Sequence, residues 1–262
     1  PSHPSQGSIT PITYHSEMIE SIFEGVNVSL YRNAITTTGI SKPLLPILTT
    51  DYWKDCTFQY RDLVAKTSKE KAKPFKTSKI YCFTASGVFP TKRRAEQIEK
   101  HSGFLAFDID NTDNPYSPES IRDSLASFPN IAYCALSVSG NGVWGLVPLA
   151  YPERNKDQFE ELSKVFEKIG LKLDRACKDV SRLRFCSYDP DHYINHSARP
   201  FEGLPRPKPK PRMIYTQRTT DYNPVNTACN MISKSIDGEK HNTLLTASKV
   251  LGGYVASGAI SE

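Results

Sequence analysis

Long apolar runs are missing from this sequence of 262 residues. No stretch approaches the roughly 20 apolar residues that a membrane-spanning helix needs, so no membrane partner is expected. Pro1 to Gln6 lack the basic-then-apolar pattern of an export signal, and an intracellular, cytoplasmic protein is expected. Cysteine is sparse and unpatterned. Cys56, Cys82, Cys134, Cys177, Cys186 and Cys229 include no C-x-x-C pair, which points to reduced thiols. Cys177, Cys186, His192 and His196 form one group to test for zinc, although their spacing fits no common finger. A large charge excess is missing as well. The net charge of +5 permits a polyanionic partner without requiring one.

What is present is the composition of a globular chain, 38% hydrophobic and 23% charged, with material for a good core plus an appendage. Basic residues concentrate at Lys66 to Lys79, Lys92 to Arg94, Arg175 to Arg184 and Arg206 to Arg212. Residues 1–12 read as a flexible polar tail. Within residues 13–100, Ile80 to Thr84 has strand composition, and Thr91 is placed to cap a helix through Glu99. The stretch from residue 101 to residue 203 is more regular. Phe104 to Asp110 reads as a buried strand, and Ser117-Pro118-Glu119 as a helix start with cap, proline and acid in order. Ile131 to Leu136 and Val143 to Leu149 are strands around the turn Ser139-Gly140-Asn141-Gly142. Asn155 to Ile169 is an amphipathic helix with Phe159, Leu162, Val165, Phe166 and Ile169 on its apolar face. Leu183 to Ser187 is a further strand.

The order strand, helix, strand, strand, helix, strand predicts an α+β fold with a ferredoxin-like, RRM-like split β-α-β core. Both helices lie on one face, and the last strand lies beside the first. The other face is open or covered by the N-terminal α/β extension. An ideal sheet of this kind is expected to put the Gly140 turn at the end opposite Asp110. Residues 204–222 read as a stiff linker, in which Leu204 to Arg212 alternates proline with base. Residues 223–262 predict a small all-helical domain, with helices Pro224 to Ser235 and Asn242 to Ala256. It stops soon after a helix, as a truncated domain would.

Three places carry chemistry. Asp108 and Asp110, two apart on a strand, point to one face. Hard divalent ions take carboxylate oxygens together with substrate phosphates, so D-x-D at a strand end suits phosphoryl or nucleotidyl transfer. The same letters, Asp108-Ile109-Asp110-Asn111-Thr112, also spell a haloacid-dehalogenase-like phosphatase loop. A metal-dependent nuclease or a solvated acidic strand end would use them too. Ser137-Val138-Ser139-Gly140-Asn141-Gly142 offers hydroxyls and unobstructed N–H groups for phosphate oxygens, or a plain hairpin turn. Asp174, with Asp179 as its rival, would complete a carboxylate site, and Arg182 and Arg184 would neutralise a triphosphate beside it.

Together these places resemble the archaeo-eukaryotic primase superfamily, the primase-polymerases. Its pattern is D-x-D, a serine-glycine turn usually followed by histidine, then an apolar residue and Asp before a basic strand. Thr84-Ala85-Ser86-Gly87-Val88-Phe89, His101-Ser102-Gly103 and Cys177 to Phe185 are similar to the VirE N-terminal-like branch of bacterial mobile elements. Asp237 to Leu245 and Leu251 to Val255 look like the primase C-terminal-like helical domain. The resemblance covers about residues 75–262.

It implies a DNA primase-polymerase of bacterial, phage or mobile-element origin, joining dNTPs or NTPs on single-stranded DNA. Asp108, Asp110 and Asp174 would hold Mg²⁺ or Mn²⁺, and Ser137, Ser139, Gly140, Asn141, Gly142, Arg182 and Arg184 would hold the nucleotide. Lys92, Arg93, Arg94, Arg206, Lys208 and Lys210 would grip the nucleic acid, and a helicase domain would lie in the same or a neighbouring chain. The family's histidine position is Trp144 here. The alternative that follows from this departure is a single-strand-binding module whose catalysis has decayed.

Overall fold

The computed structural model describes residues 20–206 and 223–260. The chain divides into two compact units, Pro1–Pro207 and Lys208–Glu262. In the first, the elements run β1 (Asn27–Tyr31), β2 (Ile40–Pro43), α1 (Leu44–Thr49), α2 (Lys54–Lys66), α3 (Lys69–Lys79), β3 (Cys82–Thr84), β4 (Gly87–Val88) and β5 (Lys100–His101). They continue as β6 (Phe104–Asp110), α4 (Pro118–Leu125), β7 (Tyr133–Leu136), β8 (Gly142–Pro148), α5 (Asn155–Lys168), β9 (Leu183–Phe185) and β10 (Tyr193–Ile194). The fold is α+β, as the sequence pattern predicts.

The second half of this unit builds a four-stranded sheet in the order β10-β7-β8-β6. Its strands alternate between two apolar faces, as the period of two dictates. Leu105, Phe107, Ile109, Cys134, Val143 and Val147 pack against Ile121 and Leu125 of α4 and Phe159, Leu162 and Phe166 of α5. Val165 and Ile169, expected on the apolar face of α5, are exposed. Phe104, Ala106, Tyr133, Ala135, Trp144 and Leu146 face the other way, onto Leu44, Ile47 and Leu48 of α1 and onto Phe83. That second face is therefore covered by the N-terminal half, whose sheet runs β2-β1-β3-β9.

The local signals explain the helices. Ser117 caps α4 by accepting from the Ser120 N–H at 3.2 Å, with Pro118 in the first turn. A buried ion pair then ties α4 to the end of β7. Arg122 Nη1 lies 3.1 Å from Asp189, whose carboxylate also accepts from the Leu136 N–H.

Two further expectations fail. Leu183 to Ser187 does not extend the main sheet; β9 pairs antiparallel with β3 in the other sheet. The edge of β6 is instead engaged by the turn before β9, where the Asp174 N–H donates to the Asp108 carbonyl at 2.8 Å. No α-helix runs from Thr91 to Glu99; only Ala95–Gln97 make a single 3-10 turn. That stretch has Ala95 and Ile98 as its only apolar residues. It cannot offer the apolar face from which short helices draw their stability.

In the second unit, α6 (Pro224–Ser233) and α7 (Lys240–Ala256) form the expected helix pair. Asn223 caps α6 by accepting from the Val225 and Asn226 N–H groups. The tail, residues 1–12, and Lys208 and Lys210 of the linker lie outside the described residues; Arg206 is exposed.

Candidate active site

Alternation along β6 puts Asp108 and Asp110 on the face of Phe104 and Ala106, the face that meets the N-terminal sheet. Asp108 lies opposite Trp144 and Asp110 opposite Gly142 in the β6–β8 ladder. Because these strands are antiparallel, the end of β6 meets the beginning of β8. The Gly140 turn therefore lies at the same end as Asp110, against the expectation, and the Asn111 N–H donates to the Asn141 carbonyl at 3.2 Å.

The carboxylate of Asp174 comes to the same place. Its backbone bond to Asp108 fixes it, and its side chain caps the 3-10 turn Arg175–Lys178 by accepting from the Ala176 N–H at 2.9 Å. Ligand atoms of Asp108, Asp174 and Cys177 all lie within 4.8 Å of one another. This group differs from the expected trio. Cys177 takes part, while Asp110 stands at the exposed end of β6 and acts on Asp108 through its charge. Asp179, the rival of Asp174, uses its carboxylate to accept from the Ser181 N–H and hydroxyl. The Cys177, Cys186, His192 and His196 group is not assembled as a metal cluster. Only Cys177 belongs to the metal-capable trio found among the described residues, and the His196 ring bonds Ser21 instead.

Two arginines meet the carboxylates. Arg184 Nη1 lies 2.9 Å from Asp108, with the two side chains 8% and 19% exposed, and Arg182 Nη2 lies 2.9 Å from Asp174. Arg184 also donates to Cys177 Sγ at 3.2 Å. Burial pushes the Asp108 pKa above the usual carboxylate range; Arg184 pulls it down, and the charges of Asp110 and Asp174 push it up again. For Arg184 burial works against the charge, yet Asp108, Cys177 and Asp174 together more than offset this and its pKa rises. Burial also raises the Cys177 thiol.

Of the trio, Asp108 opens on a cavity of about 490 Å³ whose wall also includes Lys76, Arg93, Ser137, Arg182 and Arg184. Burial lowers the Lys76 pKa. The Nε atoms of Arg93 and Arg184 are buried without a hydrogen-bond partner. Donors left in this state favour an anion in the cavity, because an unpaired buried donor costs about 1–3 kcal/mol. Trp144 is part of the core beside Asp108; its Nε1 donates to Ser187 Oγ at 3.2 Å, and the Arg184 guanidinium lies over its ring.

Of the expected nucleotide-binding residues, Ser137, Arg182 and Arg184 line this cavity, while Ser139, Gly140, Asn141 and Gly142 do not. The turn is braced from behind. Arg61 donates to the Ser137 and Val138 carbonyls at 3.1 and 3.3 Å, and Gly140 has the φ of +74° that the tight turn needs. Lys92 and Arg94 line a neighbouring concavity that shares Arg93 with the cavity. Sequence reasoning missed Lys76 and Arg61, and it singled out Cys177 only in a group with other partners. Lys76 lay within a basic run, Cys177 three residues after Asp174, and Arg61 carried no signal.

No curated protein and no solved structure matches the sequence. The stretch of residues 75–194, which carries Lys76, all three carboxylates and both arginines, matches the family model described as BT4734-like, N-terminal domain.

Proposed function

We propose that the chain contains a primase-polymerase domain that joins nucleotides on a single-stranded DNA template with Mg²⁺ or Mn²⁺. One observation carries this reading: in a crowded carboxylate pair, Asp108 and Asp174, Asp108 lies at the wall of a cavity whose other charged groups are mostly cations. The residues fit a hard divalent ion. Two carboxylates offer oxygen ligands, and a cation would relieve both the burial of the Asp108 charge, the main cause of its raised pKa, and the repulsion from Asp110 and Asp174. Asp108 and Asp174 would hold it, with Asp110 and Cys177 beside them. When bound, the metal supplies Lewis acidity to the attacking hydroxyl and the phosphate that leaves.

The chain's own groups do the rest. Lys76, Arg93, Arg182 and Arg184 neutralise a triphosphate, and the Ser137 hydroxyl donates to it. Arg184 and Arg182 occupy the carboxylates when no substrate is bound and turn to phosphate oxygens when it enters. Attack of a hydroxyl oxygen on the α-phosphorus forms the new P–O bond and releases pyrophosphate. Recognition of the nucleotide would thus rest on charge and on a preformed wall.

A second reading has one observation in its favour. Trp144, in the family's histidine position, is committed to the core and to Ser187. A module that binds single strands without joining nucleotides would tolerate this. The test is incubation with a single-stranded template, Mn²⁺ and either dNTPs or NTPs. New strands are expected from the wild type, and none from Asp108→Ala or Asp174→Ala. Binding of the template without synthesis in any of the three leaves the module.

A further inference from the structure

The Lys66 to Lys79 run is the basic segment that the proposed site absorbs least. Most of it is α3, on which Lys69, Lys73 and Lys76 recur at helical spacing and so share one face. They line a groove of about 350 Å³ with Tyr60, Thr77 and Phe185. This groove shares Lys76 and Phe185 with the carboxylate cavity. A concavity of about 570 Å³ lined by Thr36, Thr37, Thr38 and Lys92 to Arg94 shares Ala34 and Arg93 with the same cavity.

The two outer hollows thus each adjoin the carboxylate cavity, and all three belong to the first unit. Basic side chains outnumber acidic ones eight to three along their walls, the acids being Glu70, Asp108 and Asp179. Lys69 and Lys73 are exposed and form no salt bridge among the described residues. Lys76 stands between the groove and the site, close enough for Asp108 and Asp110 to act on its charge. Its ammonium lies 4.5 Å from the centroid of the Phe185 ring.

We infer that the α3 lysine face is one arm of a track for a single nucleic-acid strand. The strand crosses the carboxylate cavity and leaves past Thr36–Thr38 and Lys92–Arg94. A row of cations tracks a phosphate backbone, and hydroxyls and the Phe185 ring beside it suit phosphate oxygens and a base face. The inference rests on the proposed function for the chemistry at the centre of the track, while strand binding along α3 stands by itself.

The test measures the affinity of the full chain for fluorescent single-stranded DNA and RNA of mixed sequence at several salt concentrations. Lys69→Glu/Lys73→Glu is compared with Lys156→Glu/Lys168→Glu, which makes the same charge change on α5. The α3 variant is expected to bind about tenfold more weakly at low salt, and its slope of log affinity on log salt is expected to fall by about 1.4. The α5 variant is expected to stay near wild type. Equal losses from both variants, or none from α3, overturn the inference, as does a wild type that binds neither strand. Loss at α3 in a protein that joins no nucleotides refutes the polymerase reading and leaves the track standing. The DNA and RNA arms tell which strand it takes.

Discussion

Asp108 is the residue at which the energetics of the site are decided. An isolated aspartate in the unfolded chain has an ordinary pKa, whereas in the fold burial and the neighbouring Asp110 and Asp174 raise it, and Arg184 only partly offsets them. The folded state therefore holds the proton more tightly than the unfolded chain. This group's contribution to stability is fully present below the unfolded pKa and is lost as pH rises through the raised folded value. Metal binding has the opposite dependence, because the ligand must be ionised. Mn²⁺ affinity, followed by calorimetry between about pH 4 and pH 7, is expected to rise up to a higher pH than an ordinary aspartate would require. In Asp108→Asn this dependence should be lost together with most of the affinity. A wild-type profile already flat above the usual carboxylate range would remove the crowded-carboxylate account.

At the scale of elements, β8 shows how closely the core is built around the site. Gly145 lies opposite Phe107 in one ladder and Cys134 in the other, and a Cβ there would meet the Phe107 ring and the Tyr133 carbonyl. The carbonyl is backbone and cannot turn aside, and the ring is held against Phe166 at a centroid distance of 5.2 Å. Gly145→Ala should cost about 1–3 kcal/mol, as overpacked cores do. Thermal unfolding would read this as a lower Tm. Mn²⁺ affinity at a temperature where the variant is folded should change little, since the added methyl lies on the helix side of the sheet. An unchanged Tm would mean that the sheet yields at this point.

The same elements mark what could be read from sequence. β6, β7, β8, α4 and α5 are announced by local signals: apolar alternation, a capped and proline-started helix, a glycine turn. Asp108 and Asp110 follow from them, because the period of two puts both on one face. The partner of β9 is not a local property. Leu183 to Phe185 has strand composition wherever it pairs, and its choice of β3 over β6 depends on the turn at Asp174, 9 residues earlier, having bonded β6 first. Arg184 still reaches Asp108, but across the space between two sheets rather than along one. The cavity wall was illegible for a related reason. Lys76, Arg93 and Arg182 come from separate segments, and only the packing of the N-terminal half onto the second face assembles them.

At the scale of the molecule, all the residues assigned to the metal, the cavity and the track belong to the unit that ends at Pro207. Its core is built from its own elements, with α1, β1 and β3 closing one side of the main sheet and α4 and α5 the other. Among the described residues, the two clusters that form this core include none from α6 or α7. A chain ending at Pro207 should therefore unfold in one cooperative transition and bind Mn²⁺ as the full chain does. Its affinity for a single strand should fall by no more than the loss of the basic residues 208–212 accounts for, and that difference should vanish as salt is raised, because it is electrostatic. Calorimetry, thermal unfolding and strand binding on the two chains test this together. Loss of Mn²⁺ binding in the shorter chain would mean that the second unit helps build the site, and the assignment of Asp108 and Asp174 as sufficient metal ligands would fail with it.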